Sequence, residues 1–154
     1  PYQPTETALN ALPGTAIIQL EEGLVTLKLM PDVAPVTVAR FVEMAAMKKY
    51  DDSTFHRVAP NVYALGAGSP GANEFSSPTK RFLRTEAGPQ ARHIRGAVGM
   101  WNHGLDSGDG QFFIDMVDLP RLDREFTVFA YVTQGMELVD RLLEGAKIIR
   151  VIFK

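Results

Sequence analysis

The sequence predicts a mainly β domain, a sandwich or a closed barrel, with two helices packed on it. Three observations carry that expectation: eight short stretches with strand character, two segments with helical periodicity, and turn signals such as Glu21-Glu22-Gly23 and Pro60-Asn61 between them.

In chain order, "PYQPTETALNALPGT" is polar, contains proline and lacks the basic and apolar regions of a signal peptide. Residues 1–15 therefore read as a trimmed leader or extended segment ahead of a single domain over residues 16–154. "AIIQL" and "LVTLKLM" form a hairpin, because Val25, Leu27 and Leu29 alternate with Thr26 and Lys28 after a turn ending in Gly23. "PVTVARFVEMAAMKK" opens on Pro35, a favoured first-turn residue, and sets Val38, Phe41, Val42 and Ala45 at i, i+3, i+4, i+7, the stripe of an amphipathic helix. Strands follow over residues 54–58 and 62–67, with a Pro-Asn turn between them and a cation, Arg57, inside the first. Residues 68–96 are polar, rich in Gly, Pro and Ser, and long for a connection in a compact domain, a length that points to function. Strands 97–100, 111–116 and 127–132 come next. "GMELVDRLLEG" is a shorter helix with Met136, Val139 and Leu143 on one face, closed by Gly145 at a position suited to positive φ. The last strand is 148–153.

The 154 residues suit one domain, long enough to bury roughly two thirds of the surface that the unfolded chain exposes. No apolar run is long enough to cross a bilayer as a helix. Sixteen basic and eighteen acidic side chains leave a net charge of −2 without a basic block, which argues against a nucleic-acid partner. The absence of cysteine excludes disulfides, thiolate chemistry and Cys-ligated zinc.

His56, His93 and His103 lack the spacing of a helical metal pair, and no acid sits at ligand spacing beside any two of them, so no metal is expected. Asp106 and Asp109 in "GLDSGDGQ" lack the bidentate Glu that would close a calcium loop, and the stretch reads as a tight turn. No G-x-S-x-G elbow, Walker loop or dinucleotide fingerprint occurs. Arg57 and its aromatic company remain as the candidate chemistry.

"PDVAPVTVARFVEMA", "YDDSTFHRV", "RGAVGMWNHGLDSGDGQFFI", "PRLDREFTVFAYV" and "GMELVDRL" resemble, in order and interval, the landmarks of the cyclophilin family of peptidyl-prolyl cis-trans isomerases. The resemblance runs over about residues 16 to 153. It implies a closed eight-stranded antiparallel β-barrel capped by two α-helices, with an external groove that takes an extended peptide around a proline and needs no cofactor. By the same resemblance Arg57, Gln111 and Phe113 are the catalytic candidates. Val62, Tyr63, Leu65, Trp101, Asn102, Leu122 and Phe126 are the peptide-binding candidates, with Gln111 and the Asn102 backbone hydrogen-bonding the peptide.

Departures from the family pattern qualify these roles. Val62 stands for a usual Phe, Ala67 for a Gly, and Leu65 for the Gln that normally braces the arginine, so Arg57 is expected to be held less firmly and turnover to be slowed. Phe126 stands for His or Tyr. Arg121 replaces a Trp of many eukaryotic members, so cyclosporin binding is expected to be weak. Trp101 replaces a small residue at the neighbouring subsite, where it either walls the subsite off or stacks on the peptide. The expected function is isomerisation of Xaa-Pro bonds in unfolded or flexible chains by a monomer, in support of protein folding. The alternatives are a peptide-binding or scaffold module with decayed catalysis, and an unrelated ligand-carrying barrel with an apolar lumen. Compact loops and absent cysteines lean toward an exported bacterial protein of the periplasm or envelope over a cytoplasmic one.

Overall fold

The computed structural model describes residues 2–67, 82–105 and 108–154. The expected hairpin is β1 (Thr15–Leu20) and β2 (Gly23–Leu29), paired antiparallel with Leu20 opposite Gly23. Val25, Leu27 and Leu29 are buried while Leu24 and Lys28 face solvent, so the period-two pattern sorts core from surface.

The first expected helix spans Pro35–Ala46, with Val38 and Phe41 fully buried. Its unpaired N-terminal amides are met from a distance. Glu86 accepts from the Val36 and Thr37 amides at 3.2 and 2.7 Å and from the Thr37 hydroxyl at 2.6 Å, and its charge suits a helix N-terminus. The long connection is thereby pinned to the helix. Residues 68–81 of that connection, and Asp106, lie outside the described residues.

The remaining strands are β3 (Thr54–Phe55), β4 (Arg57–Ala59), β5 (Tyr63–Gly66), β6 (Ala97–Met100), β7 (Phe112–Asp115), β8 (Val128–Gln134) and β9 (Ala146–Phe153). They form one antiparallel sheet in the order β3-β9-β1-β2-β8-β6-β7-β5-β4. The strand expected over residues 54–58 is two strands, broken at His56. Thr54 and Phe55 pair with Lys147 and Ala146 of β9, and Arg57 to Ala59 pair with Leu65 to Tyr63 of β5. One bent segment thus serves both ends of the sheet and brings it round into a nearly closed barrel, with the Ala67 amide donating to Thr54 O at 3.0 Å. At that crossing a side chain on Gly66 would collide with Thr54 O and lie 2.5 Å from Phe55 Cα, so glycine is required.

The interior is filled by rings. Phe41 meets Phe129 at 5.1 Å, Tyr50 at 5.4 Å and Phe112 at 5.6 Å between centroids, all fully buried. This packing corrects the ligand-carrying alternative, which requires an open apolar lumen. Tyr50 donates to Gly110 O at 2.8 Å, and burial pushes its phenol well above the usual tyrosine value.

Two segments differ from expectation. Residues 1–15 are not simply extended: helix α1 (Glu6–Asn10) is capped by the Thr5 hydroxyl, and Tyr2 is buried with its ring 4.9 Å below the Arg40 guanidinium. With Pro35–Ala46 as α2, the final helix α3 covers only Met136–Asp140. The chain turns at Arg141, Leu142 enters the core, and Leu143 is 77% exposed rather than aligned with Val139. Gly145 does carry the expected positive φ, at 90°. Asp109 is buried in an ion pair with Arg40 at 3.2 Å, and no helix among the described residues is long and apolar enough to cross a membrane.

Candidate active site

Strand alternation builds the site. Val58, Ala64, Val98, Met100, Phe112 and Ile114 point into the core, so Arg57, Tyr63, Leu65, Gly99, Phe113 and Asp115 occupy the outer face of the same strands. The register aligns four of them in one row across the sheet: Arg57 opposite Leu65, Leu65 opposite Phe113, Phe113 opposite Gly99. Glycine at 99 leaves room for the Phe113 ring, whose Cζ would lie 2.5 Å from a Cβ there.

Arg57 is exposed, with Cζ 5.9 Å from the centre of the Tyr63 ring. Among the described residues its guanidinium makes no hydrogen bond or ion pair, which excludes a buried salt bridge as the reason for its position. Leu65, between Arg57 and Phe113, is fully buried and forms floor rather than wall. The type II turn that carries Arg57's strand into β5 has Pro60 at its second position and Asn61 at φ 63°, closed by the Val62 amide donating to Ala59 O at 2.9 Å. Val62 is half-buried on that turn.

An apolar cavity of about 70 Å³ lies beside this row, lined by Tyr63, Trp101, Phe113, Leu119, Leu122 and Phe126 and bordered by Arg121. Trp101 stacks on Phe126 at 5.5 Å and 13° and presents an edge to Phe113 at 6.3 Å. The half-buried indole is therefore part of this cavity's own wall. Val62 and Leu65 do not line it. A second hollow of about 360 Å³, lined by Asn102, Gly104, Leu105, Glu125 and Phe126, shares the Phe126 wall. A larger hollow of about 480 Å³ beside α3 contains none of these site residues.

Polar groups flank the cavity. Gln111 is buried with Oε1 3.0 Å from His56 Nε2, an arrangement in which the imidazole N–H donates to the amide oxygen. Asn102 donates from Nδ2 to Glu125 O at 2.9 Å and accepts from the Gly104 amide at 2.9 Å. Among the described residues nothing pairs with the backbone N–H or C=O of Asn102.

His93 has no place in the sequence-based site, because its neighbours in sequence carry no motif and its partners lie far along the chain. Its ring is buried and stacks on Phe113 at 5.6 Å and 9°, with Nδ1 2.7 Å from Asp115 Oδ2 and Nε2 2.9 Å from Phe126 O. Burial alone would lower its pKa. The Asp115 hydrogen bond, the Phe126 carbonyl and the charges of Asp115 and Asp123 overcome that and hold it above the usual histidine value. Burial likewise raises the Asp115 carboxyl against the opposing pull of His93.

Residues 15–149 match the family model described as cyclophilin type peptidyl-prolyl cis-trans isomerase/CLD. A peptidyl-prolyl cis-trans isomerase of Helicobacter pylori strain J99 is 36% identical over 140 residues, covering 90% of this chain and 86% of the relative. Peptidyl-prolyl cis-trans isomerase B of Bacillus subtilis is 37% identical over 133 residues, covering 85% and 92%. In fold, a Cryptosporidium parvum cyclophilin superposes with a TM-score of 0.78 at 19% identity over 92% of this chain and 98% of that one. A cyclophilin from Hirschia baltica gives 0.79 at 18% identity, over 99% and 81%. With that family model matched over residues 15–149 and relatives this similar over most of their length, the chain belongs to the cyclophilin-type peptidyl-prolyl cis-trans isomerase family.

Proposed function

We propose that the chain isomerises Xaa-Pro bonds in extended peptide segments, with Arg57 as the electrostatic catalyst. Rotation must break amide resonance, a barrier of about 18 to 20 kcal/mol, and without help takes tens to hundreds of seconds. At the twisted geometry the prolyl nitrogen regains a localised lone pair, and a cationic donor beside it favours that form over either planar ground state. The observation that carries the reading is the unpaired, exposed guanidinium of Arg57 in register with Phe113. Phe113, Leu122, Phe126 and Tyr63 would seat the proline ring, while Gln111 and the free backbone of Asn102 hold the peptide.

Protease-coupled isomerisation of a short Ala-Pro peptide tests this. Arg57→Ala should lower kcat/KM by about a hundredfold, the scale of one lost preorganised donor, with peptide affinity changed much less. Because Arg57 has no ion-pair partner among the described residues, the melting temperature should stay where it is. Turnover unchanged in the folded variant refutes the role. A peptide-binding module with slow turnover is the second reading. It is favoured by Leu65, whose apolar side chain gives the guanidinium nothing to bond to.

A further inference from the structure

We infer that His93 is a positioning residue of the proline pocket, held by a single proton that it shares with Asp115. The inference rests on the pocket reading above and names the part that sets its shape. His93 touches three separate pieces of the wall. Its ring backs Phe113 face to face, its Nε2 lies 2.9 Å from Phe126 O, and its own carbonyl accepts from the Leu119 amide at 2.7 Å. The His93 amide in turn donates to Asp123 Oδ1 at 2.8 Å, fixing the segment that follows Leu122.

The hydrogen-bond chemistry leaves little choice. A carbonyl oxygen only accepts, so Nε2 must carry a proton to bond Phe126 O. Nδ1 and Asp115 Oδ2, at 2.7 Å, then need one more proton between them, on either atom. Remove it, and two lone pairs face each other. The ring must either release Asp115 or turn its N–H toward Asp115 and release Phe126. Asp115 is buried, its Oδ1 has no protein partner, and a freed carboxylate there would lie away from bulk solvent. The acidic groups facing the ring are Asp115 from β7 and Asp123 from the loop after the 3₁₀ turn Pro120–Leu122, and both favour keeping the proton. Phe126 is the wall shared by the stack with Trp101 and by both hollows, so its release would open the proline slot.

Asp115→Asn provides the test, because its amide can donate to Nδ1 with no titrating proton while Nε2 still holds Phe126. The affinity of the Ala-Pro peptide is measured by calorimetry between about pH 6 and pH 9.5, alongside ring ¹⁵N shifts of His93 in the free protein. Wild type should lose affinity about tenfold as pH rises through the His93 transition, whereas Asp115→Asn should stay flat and match wild type at the acid end. Asp115→Leu, which leaves Nδ1 without a partner, should bind weakly at every pH, with KM raised more than kcat is lowered. Wild type and Asp115→Asn sharing one profile overturns the inference, and so does a folded Asp115→Leu with wild-type affinity. Arg57→Ala is run beside them. If its turnover is normal the catalytic reading falls, while the binding and ¹⁵N measurements still decide the role of His93.

Discussion

At the scale of single residues, the odd feature is a cation that lies over the Tyr63 ring yet has no side-chain hydrogen bond or ion pair among the described residues. Arg57 stands opposite Leu65, which is fully buried beneath it and Phe113, where an amide would both brace the guanidinium and demand partners of its own. Leu65→Gln should therefore raise kcat by restricting Arg57, at a stability cost of about 1 to 3 kcal/mol for the buried amide, read as a lowered denaturation midpoint. Equal or lower turnover in the folded variant would refute the bracing account. Trp101→Ala removes the ring stacked on Phe126 and should weaken proline-peptide binding by about 0.5 to 1.5 kcal/mol. A rise in affinity for peptides with bulky residues before proline would instead mark the indole as a barrier. Motif order singles out Arg57, Phe113, Trp101, Leu122 and Phe126 as candidates, and the fold sets the last four around one cavity. It does not single out His93, because that residue's meaning comes from Phe113, Asp115 and Phe126, which reach it only through tertiary packing.

At the scale of elements, periodicity revealed the hairpin and the long helix, whose apolar faces are buried as their spacing requires. The break at His56 shows in the sequence only as Phe55 and Val58 standing three apart, where an unbroken strand would set its buried residues two or four apart. Periodicity did not reveal where α3 stops, because Leu142 and Leu143 suit a helix equally well and only the core decides which is buried. The junction at His56 depends on Gly66. Gly66→Ala should destabilise the domain by roughly 1 to 3 kcal/mol through the forced separation of β5 from β3, measurable as a shift of the urea midpoint. A midpoint unchanged within error would mean that the crossing is loose. The Glu86 cap is a second element-scale support. Its removal in Glu86→Ala should cost about 1 to 2 kcal/mol, the usual scale for a lost cap, with the Arg57 chemistry intact.

At the scale of the whole molecule, proton binding to the His93–Asp115 pair bears on stability as well as on the pocket. Both groups have folded-state pKa values raised above their ordinary ones, so the folded chain holds its protons more tightly than the unfolded chain. For His93 the contribution is complete below its unfolded value near 6.5 and disappears as pH rises through its raised folded value. The melting temperature of wild type should fall over that alkaline range relative to Asp115→Asn, and parallel curves would argue against the pair as the source.

The bent segment that closes the barrel also gives the molecule an order of assembly. Arg57 belongs to a stretch whose first half pairs with β9, the last strand in sequence, and whose second half pairs with its near neighbour β5. During synthesis the hairpin of β4 and β5 can form early, but Thr54 and Phe55 wait for Ala146 and Lys147 to be made. Until then the strand bearing Arg57 is tethered on one side only. A copy of the domain without β9 would therefore leave Thr54 and Phe55 unpaired and the strand bearing Arg57 anchored through β5 alone.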